Sequence, residues 1–472
     1  MEKKKLGGRF WGTIALVGFI GQLAWAIENN YINLWVFSQT GNSDAITYMT
    51  IFSALVATVT TFLMGTLSDR IGRRKIFISV GFIIWGITVF SFGLISKENM
   101  ANLFGESNAI LMVGIWMVVI DCFMTFFGST ASDACFNAMV TDMTDSSNRG
   151  KVTSFLSTLP LFANALMMVI GMPLHVAATP DDYLKEQIAA GVFPNGESAL
   201  AHSWLIYFII CGALVTVSGI VSLFLIPKDK CVANRDEPYL KNLAYAFRKD
   251  VIKQNKLLYI AFLVFFCFNS AINAFMPYYM IYLQLDPSVG GLGLLGLDFY
   301  LTIAVIFGIS CLLAILNGIF VLDRFDKIKQ LYVSLGITAV GLLGIALSRN
   351  MALVMVFGSF MITGYLVMTS ILGAITRNLT PKKEVGLFEG VRMVFCVLLP
   401  MITGPLISSA LFPTTSYVDE TNFALNGKTP SNVMFFVALG FIILSVAPVV
   451  WLHLAAKKEK NNENQESDAC NP

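Results

Sequence analysis

Long apolar runs, separated by short polar stretches, repeat along the whole chain. Twelve of these runs are long enough to cross about 30 Å of hydrocarbon as α-helices. They cover residues 10–37, 44–67, 74–95, 109–141, 151–174, 203–227, 257–284, 297–321, 328–348, 351–376, 385–412 and 431–455. The pattern therefore predicts an all-α integral membrane protein with twelve transmembrane helices.

The polar stretches divide the twelve spans six and six. The long charged stretch at 228–256 separates an N-terminal six-helix bundle, 1–227, from a C-terminal one, 257–456. The charged, Asn-rich tail at 457–472 is expected to be disordered. No signal peptide is expected to be removed, because the first apolar run is too long. The polar stretch at 175–203 is either a long connection or a mobile lid.

The distribution of lysine and arginine predicts the orientation of the spans. Of the 32 cations, 27 fall on one side if the spans alternate, four fall on the other side, and Arg392 lies inside a span. Positive residues concentrate in cytoplasmic loops. We therefore expect a multi-pass protein of the cell membrane with both termini in the cytoplasm.

Composition agrees with a chain whose main solvent is lipid. Hydrophobic residues make up 56% of the chain and charged residues 13%, and the mean hydropathy is +0.70. Soluble domains carry about a quarter charged residues. The net charge of +2 gives no support for nucleic-acid binding.

The chain carries none of the common enzyme motifs. It lacks the phosphate loop G-x-x-x-x-G-K-[ST], H-E-x-x-H and G-x-S-x-G. Its eight cysteines are scattered without metal-ligand spacing, and its three histidines lie at or outside span ends. We expect no enzyme activity, no cofactor and no metal, and any proton relay inside the membrane must use carboxylates.

The polar strip between the second and third spans, residues 65–75, carries five charges in eleven residues. Its order, G-x-L-x-D-R-x-G-R-R-K, resembles the loop between helices 2 and 3 of the major facilitator superfamily of transporters. The pair Asp323 and Arg324 repeats part of it after span 8. The resemblance implies two pseudo-symmetric six-helix bundles that expose a central site alternately to each side of the membrane.

The same resemblance implies that the strip is a latch at the cytoplasmic ends of the helices. Asp69, with Arg70, Arg73 and Arg149, would hold the two halves together, and Gly65 and Gly72 would let backbones approach closely. The full set of candidate gating residues is Gly65, Asp69, Arg70, Gly72, Arg73, Arg74, Arg149, Asp323, Arg324, Glu389 and Arg392.

Ionisable groups inside the spans are few, and each needs a reason because lipid makes them costly. Glu28 in span 1 is the first candidate for substrate or proton binding. On a straight helix Trp25, Glu28 and Trp35 share a face, Tyr31 lies one turn from Glu28, and Asn29 adds a polar neighbour. Aromatic rings beside a carboxylate suit a sugar. The alternative is an acid that pairs with a neighbouring helix or reaches water.

Two acids of span 4 lie twelve residues apart, about 18 Å along a straight helix. They are therefore not expected to bind one ligand jointly. Asp133 shares a polar face with Asn137, which favours a cavity lining. Whether Asp121 is buried stays open.

Two further polar sets lie in the second half. Glu389 and Arg392 are spaced i, i+3, which favours a structural pair near the cytoplasmic gate. In span 7, Asn269 and Asn273 share a face before Pro277, which is expected to kink the helix near a gate hinge. Ordinary helix packing is the alternative for the asparagines.

The segments G-Q-L-A-W-A at 21–26 and D-A-C-F-N at 133–137 resemble the sucrose-type transporters and the glycoside-pentoside-hexuronide cation symporters. The second resemblance implies that Asp133 contacts sugar. Span 2 lacks the paired acids of those symporters, which argues against a sodium site on that helix. We therefore predict a monomeric, proton-coupled importer of a sugar or glycoside.

Two other functions remain open. An exporter of amphipathic compounds by proton exchange would need a largely apolar cavity, and a receptor with a transporter fold would bind solute without moving it. The partners expected in the main prediction are a small solute, H⁺ and the lipid bilayer.

Overall fold

The computed structural model describes residues 7–144, 149–227, 247–322, 324–381 and 385–469. Twelve helical stretches among these residues are long and apolar enough to cross a membrane, which confirms the predicted number. Spans 1 to 12 are Gly8–Thr40, Asp44–Ser68, Arg74–Phe92, Glu106–Met143, Lys151–Leu174, Gly196–Leu225, Lys256–Gln284, Gly296–Phe320, Lys327–Leu347, Met351–Leu379, Gly390–Ala410 and Val433–Lys458.

Three spans are not uniform α-helices. Spans 1, 4 and 11 contain π-helical segments at Ile27–Ile32, Ser129–Phe136 and Val394–Leu398. A π segment hydrogen-bonds between residues i and i+5, so it rotates every later side chain away from its place on a straight α-helix. The α-helices that form the spans are Gly8–Ala26, Asn33–Thr40, Asp44–Ile71, Arg74–Phe92, Ala109–Gly128, Asn137–Met143, Arg149–Gly171, Gly196–Leu225, Lys256–Gln284, Gly296–Phe320, Lys327–Leu347, Met351–Leu379, Val385–Met393, Leu399–Ala410 and Val433–Ala469.

Short elements connect the spans. Helices Lys97–Phe104, Asp182–Ala189 and Lys249–Gln254 are among them. The 175–203 stretch thus contains a helix, which Asp181 caps by accepting from the Leu184 N–H at 3.0 Å, and span 6 begins at Gly196. Acidic side chains suit a helix start because they satisfy free N–H groups there.

A β-hairpin lies between spans 11 and 12, where the sequence indicated only a loop. Strands β1 (Thr414–Val418) and β2 (Ala424–Lys428) pair antiparallel, with Ser416 opposite Asn426. In the turn, the Asp419 carboxylate accepts from the backbone N–H groups of Thr421 and Phe423 at 2.8 and 2.9 Å. Such Asp-centred turns fix a tight reversal of the chain.

The last helix differs from the expectation for the C-terminus. It runs from Val433 to Ala469, so most of the 457–472 tail is helical rather than disordered. The physical reason is the local composition: lysine, glutamate and glutamine are good helix formers and extend a helix that already exists.

Contacts group the described residues into two compact units. Unit 1 holds residues 7–227 together with Pro277–Tyr300 and Phe412–Ser431. Its core includes an aromatic cluster of Tyr31, Trp35, Trp204, Tyr207 and Phe208. Spans 3 and 6 approach so closely that a Cβ on Gly212 would lie 2.7 Å from the Gly86 carbonyl oxygen. Small residues at crossings are typical of membrane helices.

Unit 2 holds residues 247–276, Leu301–Leu411 and 432–469. Spans 9 and 10 pack closely in it, and the Ser334 hydroxyl donates to the Gly364 carbonyl at 2.8 Å. Helix Lys256–Gln284 runs through Pro277 without interruption, and the division between the units falls at this proline.

Candidate functional site

A buried carboxylate in unit 1 forms the centre of the candidate site. Glu28 lies in the π segment Ile27–Ile32 and is 7% exposed. The hydroxyls of Ser53 on span 2 and Thr125 on span 4 lie 2.9 and 3.1 Å from its Oε1 atom. These hydroxyl oxygens are themselves 2.7 Å apart. Three helices thus meet in one triangle of oxygen atoms.

A second acid faces the same triangle. Asp121 lies one turn before Thr125 on span 4 and is 1% exposed. Because residues four apart share a helix face, its side chain lies beside Thr125, whose hydroxyl belongs to the triangle. Neither carboxylate oxygen of Asp121 has hydrogen-bond geometry with a residue that the structure describes. We call Glu28, Ser53, Asp121 and Thr125 the acid cluster.

Charge balance determines what the acid cluster can do. Within the described part of the chain, no lysine, arginine or histidine forms an ion pair with Glu28 or Asp121. Two unpaired carboxylates cannot both stay ionised in a low-dielectric site. The cluster is therefore built to hold protons or to receive a cation.

Asp133 lies further along span 4 than the acid cluster. It is half-buried in the π segment Ser129–Phe136. Asn137 is exposed and donates from Nδ2 to the Asp133 backbone carbonyl at 3.2 Å. The π segment lies between Asp121 and Asn137, so the spacing expected for a uniform helix does not apply.

The aromatic neighbours predicted for Glu28 separate into two groups. Trp25 is half-buried and packs edge-on against Trp85, with ring centroids 5.0 Å apart. Asn29 is exposed and donates from Nδ2 to the Trp25 carbonyl at 2.8 Å. Tyr31 stacks on Tyr207 in the aromatic cluster of unit 1.

Trp35, expected on the face of Glu28, lies in that same aromatic cluster and donates from Nε1 to the Phe92 carbonyl at 2.9 Å. The π segment after Ala26 explains its position, because it turns Trp35 away from the Glu28 face. Trp25 precedes the π segment and is unaffected by it.

The span 7 asparagines bond to backbone carbonyls within unit 2. Asn269 donates from Nδ2 to the Cys396 carbonyl at 2.7 Å, and Asn273 donates to the Asn269 carbonyl at 2.9 Å. Next to them the hydroxyls of Ser270 and Thr403 are 2.9 Å apart. We call Asn269, Ser270, Cys396 and Thr403 the amide cluster. It joins span 7 to the π segment of span 11.

The strip between spans 2 and 3 has a glycine with a clear conformational role. Gly72 ends the span 2 helix with φ +67°, and its N–H donates to the Ser68 carbonyl at 2.8 Å. A left-handed residue at this position is a common helix stop. A Cβ on Gly65 would make only ordinary contact, 4.0 Å from Ala134 Cβ.

The arginines of the strip differ in their exposure to solvent. Arg74 is buried, and its Nε lies 3.3 Å from the Asp142 carboxylate at the end of span 4. Arg70 and Arg73 are exposed. The side chains of Asp69 and Arg149 lie outside the described residues, so the latch that was predicted with them stays a prediction.

The remaining gating candidates lie in the second half of the chain. Arg324 lies over the Phe320 ring, 5.9 Å from its centroid. Arg392 is half-buried on span 11. Asp323 and the Glu389 side chain lie outside the described residues, so the predicted Glu389–Arg392 pair stays a prediction.

Sequence analysis missed several residues of these sites, among them Ser53 and Asp142. Ser53 contacts Glu28, but a lone serine in an apolar span carries no signal that distinguishes it from a packing residue. Asp142 carried a detectable signal, because it is an acid on the side of the membrane where the basic strip was expected.

An open cavity of about 570 Å³ lies in unit 1 between the 175–203 stretch, residues 284–298 and the hairpin. Lys185 lines it, with Nζ 3.2 Å from Glu420. Burial lowers the pKa of Lys185, but Glu420, with help from Asp182 and Asp419, raises this pKa overall. Five acidic residues and one lysine line the cavity, so its net charge is unsuited to anions.

With this fold, twelve spans and a buried acid site, the class of the protein is a membrane transporter. The chain belongs to the Major Facilitator Superfamily, whose family model matches residues 14–405 and, in a second match, 302–469. It is a multi-pass transporter of a small solute, and it is not an enzyme. No curated protein matches the sequence significantly.

Solved structures share the fold at low sequence identity. The nucleoside transporter NupG is 12% identical, with a TM-score of 0.66 over 93% of this chain and 98% of that chain. The xylose transporter XylE from E. coli, in an inward open conformation, is 14% identical, with a TM-score of 0.63 over 94% and 95%. A bacterial homolog of the human lysosomal transporter Spinster is 16% identical, with a TM-score of 0.60 over 96% of each chain.

Proposed function

We propose that this protein imports a sugar or glycoside together with protons, by alternating access of a central site. The observation that carries the proposal is Glu28, a buried acid without a cation partner among the described residues and bonded only to hydroxyls. An acid in that setting changes its charge by binding or releasing a proton, which is what a coupling site requires.

Solute recognition is assigned to the polar and aromatic groups next to the acid cluster. Trp25 and Asp133 are half-buried, and Asn29 and Asn137 are exposed. An indole face with amide and carboxylate groups suits the C–H faces and hydroxyls of a sugar.

Known proteins support the substrate class without defining it. One similar structure is named a D-xylose-proton symporter, with a TM-score of 0.63. NupG is named a nucleoside transporter, and a nucleoside contains a sugar unit. The segments at 21–26 and 133–137 add the resemblance to the sucrose-type and glycoside-pentoside-hexuronide transporters. Span 2 supplies the Ser53 hydroxyl to the acid cluster and lacks the paired acids of the sodium-coupled symporters, which favours H⁺ over Na⁺.

We propose a monomer in the cell membrane. Its termini are assigned to the cytoplasm, since 27 of its 32 cations lie on one predicted side. The basic strip and the Arg74–Asp142 pair then lie at the cytoplasmic ends of spans 2, 3 and 4. In the proposed cycle, the strip holds the helix ends together while the site faces outward.

Exchange of labelled solute in proteoliposomes tests the substrate class. The panel contains mono- and disaccharides, glycosides and lipophilic cations, without sodium. Exchange of one sugar, weakened in Asp133→Asn and unchanged in Thr403→Val, supports the proposal. Exchange of lipophilic cations alone contradicts it and favours proton-driven export of amphipathic compounds, for which the 38 phenylalanines and 21 methionines offer apolar surface.

A further inference from the structure

The hydroxyls of the acid cluster have fewer hydrogens than their contacts require. Three oxygen–oxygen approaches, of 2.7, 2.9 and 3.1 Å, connect Ser53, Thr125 and Glu28 Oε1. Each approach at hydrogen-bond distance needs one hydrogen between its oxygens. The two hydroxyls supply one each, and an ionised carboxylate supplies none. A proton on Glu28 Oε1 supplies the third and closes the triangle.

Asp121 lies one helical turn before Thr125 on span 4, so its side chain neighbours the Thr125 hydroxyl, whose oxygen is 2.7 Å from that of Ser53. Asp121 is buried, and its oxygens have no hydrogen-bond partner in the described part of the chain. A hydroxyl can accept one proton while it donates its own, so it can connect two acids that do not touch each other.

We propose that Ser53 is a positioning residue that passes a proton between Glu28 and Asp121, which makes Asp121 the second proton-binding group of the transporter. In the step, the proton leaves Glu28 Oε1 for Ser53 Oγ, while the hydrogen of Ser53 turns from Thr125 to an Asp121 oxygen. Glu28 becomes ionised, Asp121 becomes neutral, and Ser53 keeps one hydrogen. The inference rests on the proposed proton coupling and names the route within it.

The chain contains a matched control for the loss of a buried hydroxyl. Ser79 on span 3 and Ser222 on span 6 form a hydroxyl pair 2.5 Å apart in unit 1, and both are buried. No carboxylate of the described residues is bonded to this pair. Ser79→Ala therefore removes a hydroxyl of the same kind without touching the acid cluster.

Infrared difference spectra between each variant and the wild type, recorded on purified protein in lipid nanodiscs at neutral pH, test the inference without transport. The expected result is a carboxylic-acid C=O band that is lost in Glu28→Gln. This band shifts in Ser53→Ala and Thr125→Val and stays unchanged in Ser79→Ala and Ser53→Thr. Asp121→Asn should change the same band, because the two acids share one proton route. If Ser53→Ala does not fold, Thr125→Val and Asp121→Asn still decide the outcome.

Transport adds a second readout. Ser53→Ala should lower solute-driven proton movement by about tenfold, the factor that a hydrogen bond to a charged group is worth, while solute exchange stays near the wild-type rate. Ser53→Thr keeps the hydroxyl, so its solute-driven proton movement should stay near the wild-type rate. An equal loss of exchange and proton movement in Ser53→Ala would mean that the serine only supports the fold, which would overturn the inference.

Three infrared results would also overturn it. These are the absence of any band that depends on Glu28, a band that ignores Ser53→Ala, and a band that Na⁺ but not K⁺ abolishes. The last result would mean that the cluster binds Na⁺ in place of the proton. If the wild type shows no solute-driven proton movement, the proposed coupling fails, whereas the infrared bands judge the proton route by themselves.

Discussion

The acid cluster of unit 1 and the amide cluster of unit 2 differ in charge and in how fully their polar groups are hydrogen-bonded. Both join a π-helical span to a neighbouring span through short polar contacts. The acid cluster contains two carboxylates, and three of their four oxygens lack a hydrogen-bond partner among the described residues. The amide cluster is neutral, and Asn269 and Ser270 both have partners. Unsatisfied buried acids are costly and persist where function needs them, whereas a satisfied neutral cluster stabilises helix packing.

From this difference between the two clusters we infer where proton coupling takes place. A group that changes its charge during transport must be an acid or a base, and the amide cluster has neither. We therefore assign proton binding to the acid cluster and helix attachment to the amide cluster. Variants that remove one kind of group at a time test this division.

The largest effect is expected at Glu28. Glu28→Gln keeps the shape of the side chain and removes its ability to exchange a proton. Proton-driven accumulation of solute should fall by about 100-fold or more, since positioned proton transfer contributes that much. Exchange of solute at equal concentrations should survive. Accumulation at the wild-type level would exclude Glu28 as the coupling group.

A pair of matched threonine variants compares the two clusters directly. Thr125→Val removes a hydroxyl that contacts Glu28, and Thr403→Val removes one that contacts Ser270. The first should reduce proton-driven uptake by about tenfold and the second by less than about twofold, because only the first hydroxyl touches an acid. Initial uptake rates under an imposed pH gradient measure both. Equal losses would remove the distinction between the clusters.

The amide cluster should affect stability instead of coupling. Asn269→Leu leaves the Cys396 carbonyl without its donor, so the free energy of unfolding should fall by about 1.5 kcal/mol. Asn273→Ala is the control, because among the described residues its side-chain amide donates to a carbonyl of its own helix, that of Asn269. Thermal unfolding in detergent compares the two, and proton coupling in both should stay normal. A loss of coupling without a loss of stability in Asn269→Leu would contradict this assignment.

A smaller, purely structural effect is expected outside both clusters. Gly72→Ala forces an L-residue into the left-handed region at φ +67° and should cost about 1 kcal/mol. In Gly65→Ala, in the same strip, the new Cβ would make only ordinary van der Waals contact, so the free energy of unfolding should hardly change. Thermal unfolding of the two variants measures the difference. An equal cost at both positions would mean that the strip is sensitive for reasons other than the Gly72 turn.

The spans were predictable because lipid imposes length and apolarity on every one of them. The predicted span 10–37 became Gly8–Thr40, and 385–412 became the helical stretch from Val385 to Ala410. Glu28 was identified by the cost of an acid in lipid. Its partners were not, since Ser53 is one of many small polar residues in apolar helices.

The arrangement of side chains around Glu28 was harder to predict. The π segments at Ile27–Ile32 and Ser129–Phe136 change which residues share a face, and no local residue pattern announced them. This is why Trp35 was expected on the same face as Glu28. The hairpin at 414–428 was missed because its pairing depends on a turn at Asp419.

Solute-driven proton movement is the most direct test of the central claim. Proteoliposomes without sodium receive the sugar that the exchange panel identifies, and an external pH electrode follows the medium. If Glu28 is the coupling group, the medium becomes alkaline with the wild type and with Asn269→Leu, and stays unchanged with Glu28→Gln. Alkalinisation that persists in Glu28→Gln, or sugar uptake by the wild type without any proton movement, would contradict that claim.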